Sequence, residues 1–248
     1  MADFLEIFTA AFWSEYGSIL LEEVWATLLM TSISTLVAYL IGLPMGVVMT
    51  LTQPHGIRPN QPVNTVLGWV INIGRSLPFI ILMIAVFPVT TFLMGTKIGI
   101  RGAIPPLVIS AAPFIARMVE TALSEVDAGV IEAAQSMGAS AFQIVWKVYL
   151  PEARPSLVLG GSVVLIAIVG YTAMAGTMGA GGLGDLAIRY GHQRNVPSVM
   201  WITVIFLIIL VQVVQSIFSR ISRRIDRRLD AGSTPLFGLL SLLSTHGK

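Results

Sequence analysis

VWATLLMTSISTLVAYLIGLPMGVVMTLTQP, residues 24–54, contains no Asp, Glu, Lys or Arg. At about 1.5 Å of helical rise per residue this run exceeds the roughly 20 residues that cross a hydrocarbon core about 30 Å thick. A backbone immersed in lipid has to satisfy its own hydrogen bonds, so a run of this length reads as a helix and not a strand. Four further runs follow: 58–97, interrupted only by Arg75; 101–117, expected to continue a turn beyond each end; 155–184; and 195–219. The whole chain agrees with that reading. Of its 248 residues 55% are hydrophobic and 11% charged, against about 25% charged in soluble domains, and its mean hydropathy is +0.82. A water-soluble enzyme is excluded, and a net charge of +2 is too small to imply nucleic-acid binding. The fold class expected is all-α, a polytopic membrane protein with five transmembrane helices.

Basic residues are retained in the cytoplasm, which sets the orientation. With the N-terminus outside, the cytoplasmic segments hold Arg58, Arg117, Lys147, Arg154, Arg220, Arg223, Arg224, Arg227, Arg228 and Lys248, ten in all, while Lys97, Arg101, Arg189 and Arg194 lie outside. Ten against four predicts N-outside, C-cytoplasmic. Residues 1–23 carry Asp3, Glu6, Glu15, Glu22 and Glu23 and no basic residue, so a cleaved signal peptide is not expected. Phe4, Leu5, Phe8, Phe12 and Trp13 suit an interfacial helix there. The division expected is thus an external segment 1–23, a transmembrane domain 24–222, and a cytoplasmic tail 223–248, basic and then apolar. The chain has no cysteine, hence no disulfide or thiolate metal site, and His55, His192 and His246 lie apart in separate loops. No metal or catalytic constellation emerges.

Between the third and fourth runs lies a cytoplasmic loop, about 118–154, that is far less apolar. Ser124 with Asp127, and Ser140 with Gln143, have the spacing of capping boxes, which predicts two helices around an elbow. Gly138 falls at the elbow, where it can take the left-handed conformation that ends a helix. Pro151 is expected to stop the second helix after Leu150.

Glu132-Ala133-Ala134, then Gly138, then Leu150-Pro151 resembles the EAA motif of binding-protein-dependent ABC importer permeases. Arg75-Ser76-Leu77-Pro78-Phe79, Gly170-Tyr171-Thr172-Ala173-Met174-Ala175-Gly176 and the glycines through Gly184 look like the methionine-importer branch of that family. The resemblance covers roughly residues 24–228. It implies a bacterial inner-membrane permease, working as a homodimer, with two cytoplasmic ATPase subunits docked on the EAA loop and an external substrate-binding protein, a lipoprotein, delivering an amino acid, most closely methionine. ATP and Mg would be bound by the ATPase partner. No Walker-type motif occurs in this chain, so it is expected to hold no cofactor and to be no enzyme itself. The bland reading of the same string is an interfacial helix-turn-helix with ordinary caps.

Four residues stand out as candidates for the path. Arg75 is the one charge well inside a predicted span, where it costs about 2.5–3.5 kcal/mol unless solvated or paired. It is either a structural tie or part of the gate. Tyr171, Met174 and Met178 recur at helical spacing along one face, as core or as an apolar constriction that flexible methionines can open. The stretch 179–184 lacks the Gly-Lys-Ser/Thr of a phosphate loop and is expected as flexible backbone at the outer mouth or an ordinary loop. Membrane lipid is the remaining partner, met by the arginines after Ser219. Two alternatives stay open: a permease for another small amino acid or ion, and an ion-coupled secondary carrier. The second usually needs acids or His inside spans, and none lies inside these runs.

Overall fold

The computed structural model describes residues 6–225, and every regular element among them is helical. Four helices are long and apolar enough to cross a membrane: α1 (Ala10–Thr52), α4 (Gly99–Ser124), α8 (Arg154–Gly176) and α10 (Pro197–Ile225). Between α1 and α4 stand α2 (Gln61–Ser76) and α3 (Phe79–Met94), 16 residues each and bent by 111° at their junction. The second run is therefore not the single straight span expected. Pro78 cannot donate a backbone hydrogen bond and biases Leu77 to extended backbone, so the helix ends at Ser76 and restarts at Phe79.

The number of passes follows from which ends meet. An added Cβ at Gly42 would lie 2.6 Å from the Ala112 carbonyl oxygen, and one at Gly46 2.5 Å from that of Ala116. Beyond them Gln53 donates to Glu120 at 3.0 Å. Contacts that advance together along both chains mean that α1 and α4 run parallel. The pair α2–α3 then returns the chain to the end of the bundle from which α4 starts. Ser156 meets Glu125 at the end of α4, whereas the other end of α8 leads into a loop held against Glu23, so α8 is antiparallel to both. Ser198 meets Glu6, and Ser222 meets the Pro155 carbonyl. Four helices among the described residues thus qualify as spans, or five if the bent pair α2–α3 counts as one.

Glycine at 42 and 46 lets the α1 and α4 backbones touch, the small-xxx-small pattern of membrane helix pairs. Around that seam Met30, Ala38, Leu107, Ile115, Val119 and Ile168 form the buried core. Helix α4 begins at Gly99 and runs unbroken through Pro105, Pro106 and Pro113, extending past Arg101 and Arg117 as expected. At the other end of the fold α1 crosses the boundary expected at residue 24 without a break, 43 residues in one helix. Its first turns pack Phe12 and Leu20 against Leu186, Val199 and Ile202. Likewise α10 continues through 222 to Ile225; Arg227, Arg228, Lys248 and the apolar tail lie outside the described residues.

Candidate functional site: the loop between α4 and α8, and the glycine stretch after α8

After α4 the chain forms α5 (Ala128–Ser136). Its N-cap is Asp127, whose carboxylate accepts from the Gly129 and Val130 amides at 2.8 and 3.2 Å. Ser124 does not cap it: that residue closes α4, its hydroxyl donating back to the Glu120 carbonyl at 2.8 Å. Gly138 has φ +76°, the left-handed conformation that ends α5, and the Ala139 amide donates to the Ala134 carbonyl at 3.1 Å across the turn. Ser140 then opens α6 (Ala141–Ile144) with a full capping box. Its amide donates to Gln143 Oε1 at 2.8 Å, and its hydroxyl accepts from the Gln143 amide at 3.3 Å.

Pro151 does not stop this second helix. A π-helical segment, Val145–Tyr149, shifts the hydrogen-bond register so that the Leu150 amide donates to the Val145 carbonyl. Pro151 enters in the first turn of α7 (Leu150–Glu152), where a missing N–H is tolerated, and α8 follows almost at once. Burial pushes the Tyr149 phenol above its ordinary pKa, as expected of a ring that anchors this segment to the core.

The expected site residues divide here. Glu132, Ala133 and Gly138 are exposed; Ala134 is buried at 5% exposure, and Leu150 and Pro151 are half-buried. Ala134 is small because α5 packs inward on it, and Ala133 faces out. The same loop exposes large apolar side chains that the EAA string does not include: Val130, Met137 at 82% exposure, Phe142 at 76% and Trp146 at 65%. The Phe142 and Trp146 rings lie parallel within 7°, their centres 6.4 Å apart. The sequence signal was present, two aromatics at i and i+4 on an otherwise polar loop.

Arg75 sits in the last turn of α2, at the break, and is exposed. A helix C-terminus there favours the cation. Tyr171, Met174 and Met178 do not share one environment. Tyr171 stacks on Phe79 of α3, centres 4.8 Å apart and planes 10° off parallel, and Met178 packs half-buried against the core. Only Met174, 48% exposed, lies open, in line with Leu159, Val163 and Gly170 on the same face of α8.

The glycine-rich stretch after α8 is tied down and not free backbone. The Gly182 amide donates to Glu23 Oε2 at 2.5 Å, the Leu183 amide to the Thr27 hydroxyl at 2.8 Å, and the Gly99 amide to the Gly179 carbonyl at 2.8 Å. Arg189 closes the knot, 3.1 Å from Glu23 and 2.8 Å from Asp185 of α9 (Leu183–Leu186). Gly182 has φ +86°, and a Cβ there would meet Thr27 and Met30 within 3 Å. Glu23 and Thr27, on a helix remote in sequence, gave no hint of this role.

Residues 42–230 match the family described as binding-protein-dependent transport system inner membrane component. The chain is 49% identical, over 89% of its length and 98% of the relative's, to the probable D-methionine transport system permease protein of Vibrio cholerae. It is 48% identical to the methionine import system permease protein of Bacillus subtilis, over 72% of this chain and 80% of that one. Among solved structures, an inward-facing conformation of the MetNI methionine ABC transporter superposes with TM-score 0.85 at 45% identity, covering 86% of this chain and 99% of that one. An amino acid ABC transporter at 19% identity, TM-score 0.70, over 85% of this chain and 96% of that one, shares the fold.

Proposed function

From the premise that this chain belongs to the binding-protein-dependent transport system inner membrane components, we propose that it is the permease subunit through which an ATP-driven importer passes methionine. The chain is a multi-pass inner-membrane transport subunit. Identity of 45–49% to methionine permeases over most of the chain supports the substrate. Two copies line one path, and a separate ATPase pair binds ATP and Mg. An external binding protein loads the outer mouth.

The observation that carries the coupling role is the exposure of Met137, Phe142 and Trp146 on the loop that also presents Glu132. Exposed, stacked aromatics on a loop that also carries an exposed charge have the composition of a protein-binding hot spot. Glu132 offers a carboxylate to a basic group, and Ala133 permits close approach. The face holding that platform is also the one where Lys and Arg predominate, which supports N-outside, C-cytoplasmic. The division that goes with this reading is an external segment 1–23, a transmembrane domain 24–222 with its coupling loop at 118–154, and a cytoplasmic tail 223–248, with α1 and α10 each running across a boundary. Closure of the ATPase dimer on ATP would move α5, and with it α4, opening the path outward; hydrolysis would reset it. Met174 on the open face of α8 and Arg75 at the break between α2 and α3 line that path.

Uptake of labelled methionine into cells expressing this chain with its ATPase subunit and binding protein, challenged by other amino acids, tests the reading. Methionine should compete best. Uptake driven by an ion gradient in the absence of the ATPase subunit would overturn it.

A further inference from the structure

On the face where the glycine stretch is tied down, α1, the turn before α4 and the loop after α8 enclose an open cleft of about 800 Å3, within the roughly 300–1,000 Å3 of small-molecule sites. Charges of both signs line it: Glu22, Glu23 and Asp185 with Arg101 and Arg189. Three of these are committed to one another through the Glu23–Arg189–Asp185 ion pairs, which fix that wall. The other two are not. Glu22 and Arg101 are exposed and make no hydrogen bond or ion pair among the described residues.

The rest of the lining is small or apolar, with Ala26, Ile98 and Ile100. Gly179 and Gly181 hold φ of +80° and +78°, and a Cβ at either would point at a lining residue, 3.5 Å from Ile98 or from Glu23. That distance is ordinary van der Waals contact, so what calls for glycine at both is the left-handed backbone that shapes this wall. A site with a free anion, a free cation and an apolar floor is complementary to a molecule carrying both charges and an apolar side chain.

We propose that this cleft binds the free zwitterionic amino acid on the outer side of the path, Arg101 taking its carboxylate and Glu22 its ammonium. It rests on the reading of the chain as an amino-acid importer permease and adds a binding site before the path itself.

The test uses the permease–ATPase complex in lipid nanodiscs without binding protein, titrated with methionine, methioninamide and N-acetylmethionine by saturation-transfer NMR. A hydrogen-bonded charge contributes about 1.5–3 kcal/mol, so each derivative should bind roughly ten- to a hundred-fold more weakly than methionine. Arg101→Gln should weaken methionine to the level of its amide and abolish discrimination between the two; Glu22→Gln should do the same for the N-acetyl compound. Because both side chains are exposed and unpaired, neither variant disturbs the fold. Equal binding of the three compounds, or unchanged affinities in both variants, overturns the site. So does a loss of binding-protein affinity in the variants with methionine binding intact, which would make the cleft a protein-docking surface. Normal binding-protein-dependent methionine uptake alongside any of these leaves the importer reading standing, whereas absence of that uptake in the wild type defeats the importer reading.

Discussion

Arg117 and Glu120 are joined by a 2.7 Å ion pair within one turn of α4, and the carboxylate is buried at 7% exposure. The same guanidinium reaches Asn72 on α2 at 3.1 Å, and Glu120 also accepts from Gln53 at 3.0 Å. Glu120 and its partner Arg117 therefore tie the end of α1 and α2 to the last turns of α4, just ahead of the loop between α4 and α8. Glu120→Ala should lower stability by about 1.5–3 kcal/mol, the worth of hydrogen bonds to a charged group. Arg117→Lys should cost less yet still be felt, since an ammonium lacks the planar fork that serves two acceptors. Thermal unfolding of the purified permease–ATPase complex checks this, and midpoints equal to wild type would remove the pair from the stability of the fold.

Gly138 has open space around its Cβ position, so only its left-handed backbone opposes a side chain. ATP-dependent uptake should fall in the order Gly, Asn, Ala, Val, because Asn tolerates that region and a β-branched residue does not. Ala should lose about 1 kcal/mol of local stability. Val should abolish coupling while membrane insertion stays normal. An uptake assay paired with quantification of inserted protein decides it; an active Val variant would remove the elbow from the coupling role.

Gly176 and Gly184 fail differently. A Cβ at Gly176 would fall 2.3 Å from the Asp185 amide nitrogen, and one at Gly184 2.3 Å from Ala173 Cα, backbone against backbone. Either alanine forces α9 off the end of α8, at a cost above the roughly 1–3 kcal/mol of ordinary overpacking. Reduced yield of folded complex by size-exclusion chromatography is the expected readout, with wild-type yield the contrary one.

Met174 and Met178 separate path from core. Met178→Ala should destabilise by about 1–2 kcal/mol, less than the 2–5 of a fully buried methionine. Met174→Ala should leave stability within about 0.5 kcal/mol, as at other exposed positions, while raising ATP hydrolysis without substrate. Measuring both variants in one ATPase and thermal-shift series tests the assignment. Unaltered hydrolysis in Met174→Ala would return that residue to packing.

Trp146→Ala and Phe142→Ala should weaken docking of the ATPase subunit, by about 2 kcal/mol or more if these rings form the hot spot. Lower co-purification at equal permease yield is the result expected; full retention would place docking elsewhere.

Much of this was legible because lipid imposes simple rules. Charge-free runs gave α1, α4, α8 and α10, and Gly138 with Ser140 and Gln143 placed the elbow and its cap. Contacts between distant residues were not legible. Nothing local to Pro78 says that α2 and α3 bend by 111°, and nothing near 179–184 says that Glu23 holds those glycines. Tyr171 and Met174 lie on α8, whereas Met178 falls in the turn after its end at Gly176 and so not on the same helix face as expected; which of them face the core depends on α3, through Phe79. Pro151 was read as a stop because the preceding π-helical register shift leaves no sequence signature.

Helix α1 has 43 residues in one piece, about 65 Å at 1.5 Å each, against the roughly 40–45 Å of a bilayer with its headgroups. It is a lever. Its fulcrum is the glycine seam against α4, one arm ends near Glu120, and the other carries Glu23 and with it the tied glycine stretch. A tilt at that seam, where Pro44 also sits, would displace both ends of one helix together, the tied glycine stretch at one and the Glu120 cluster at the other.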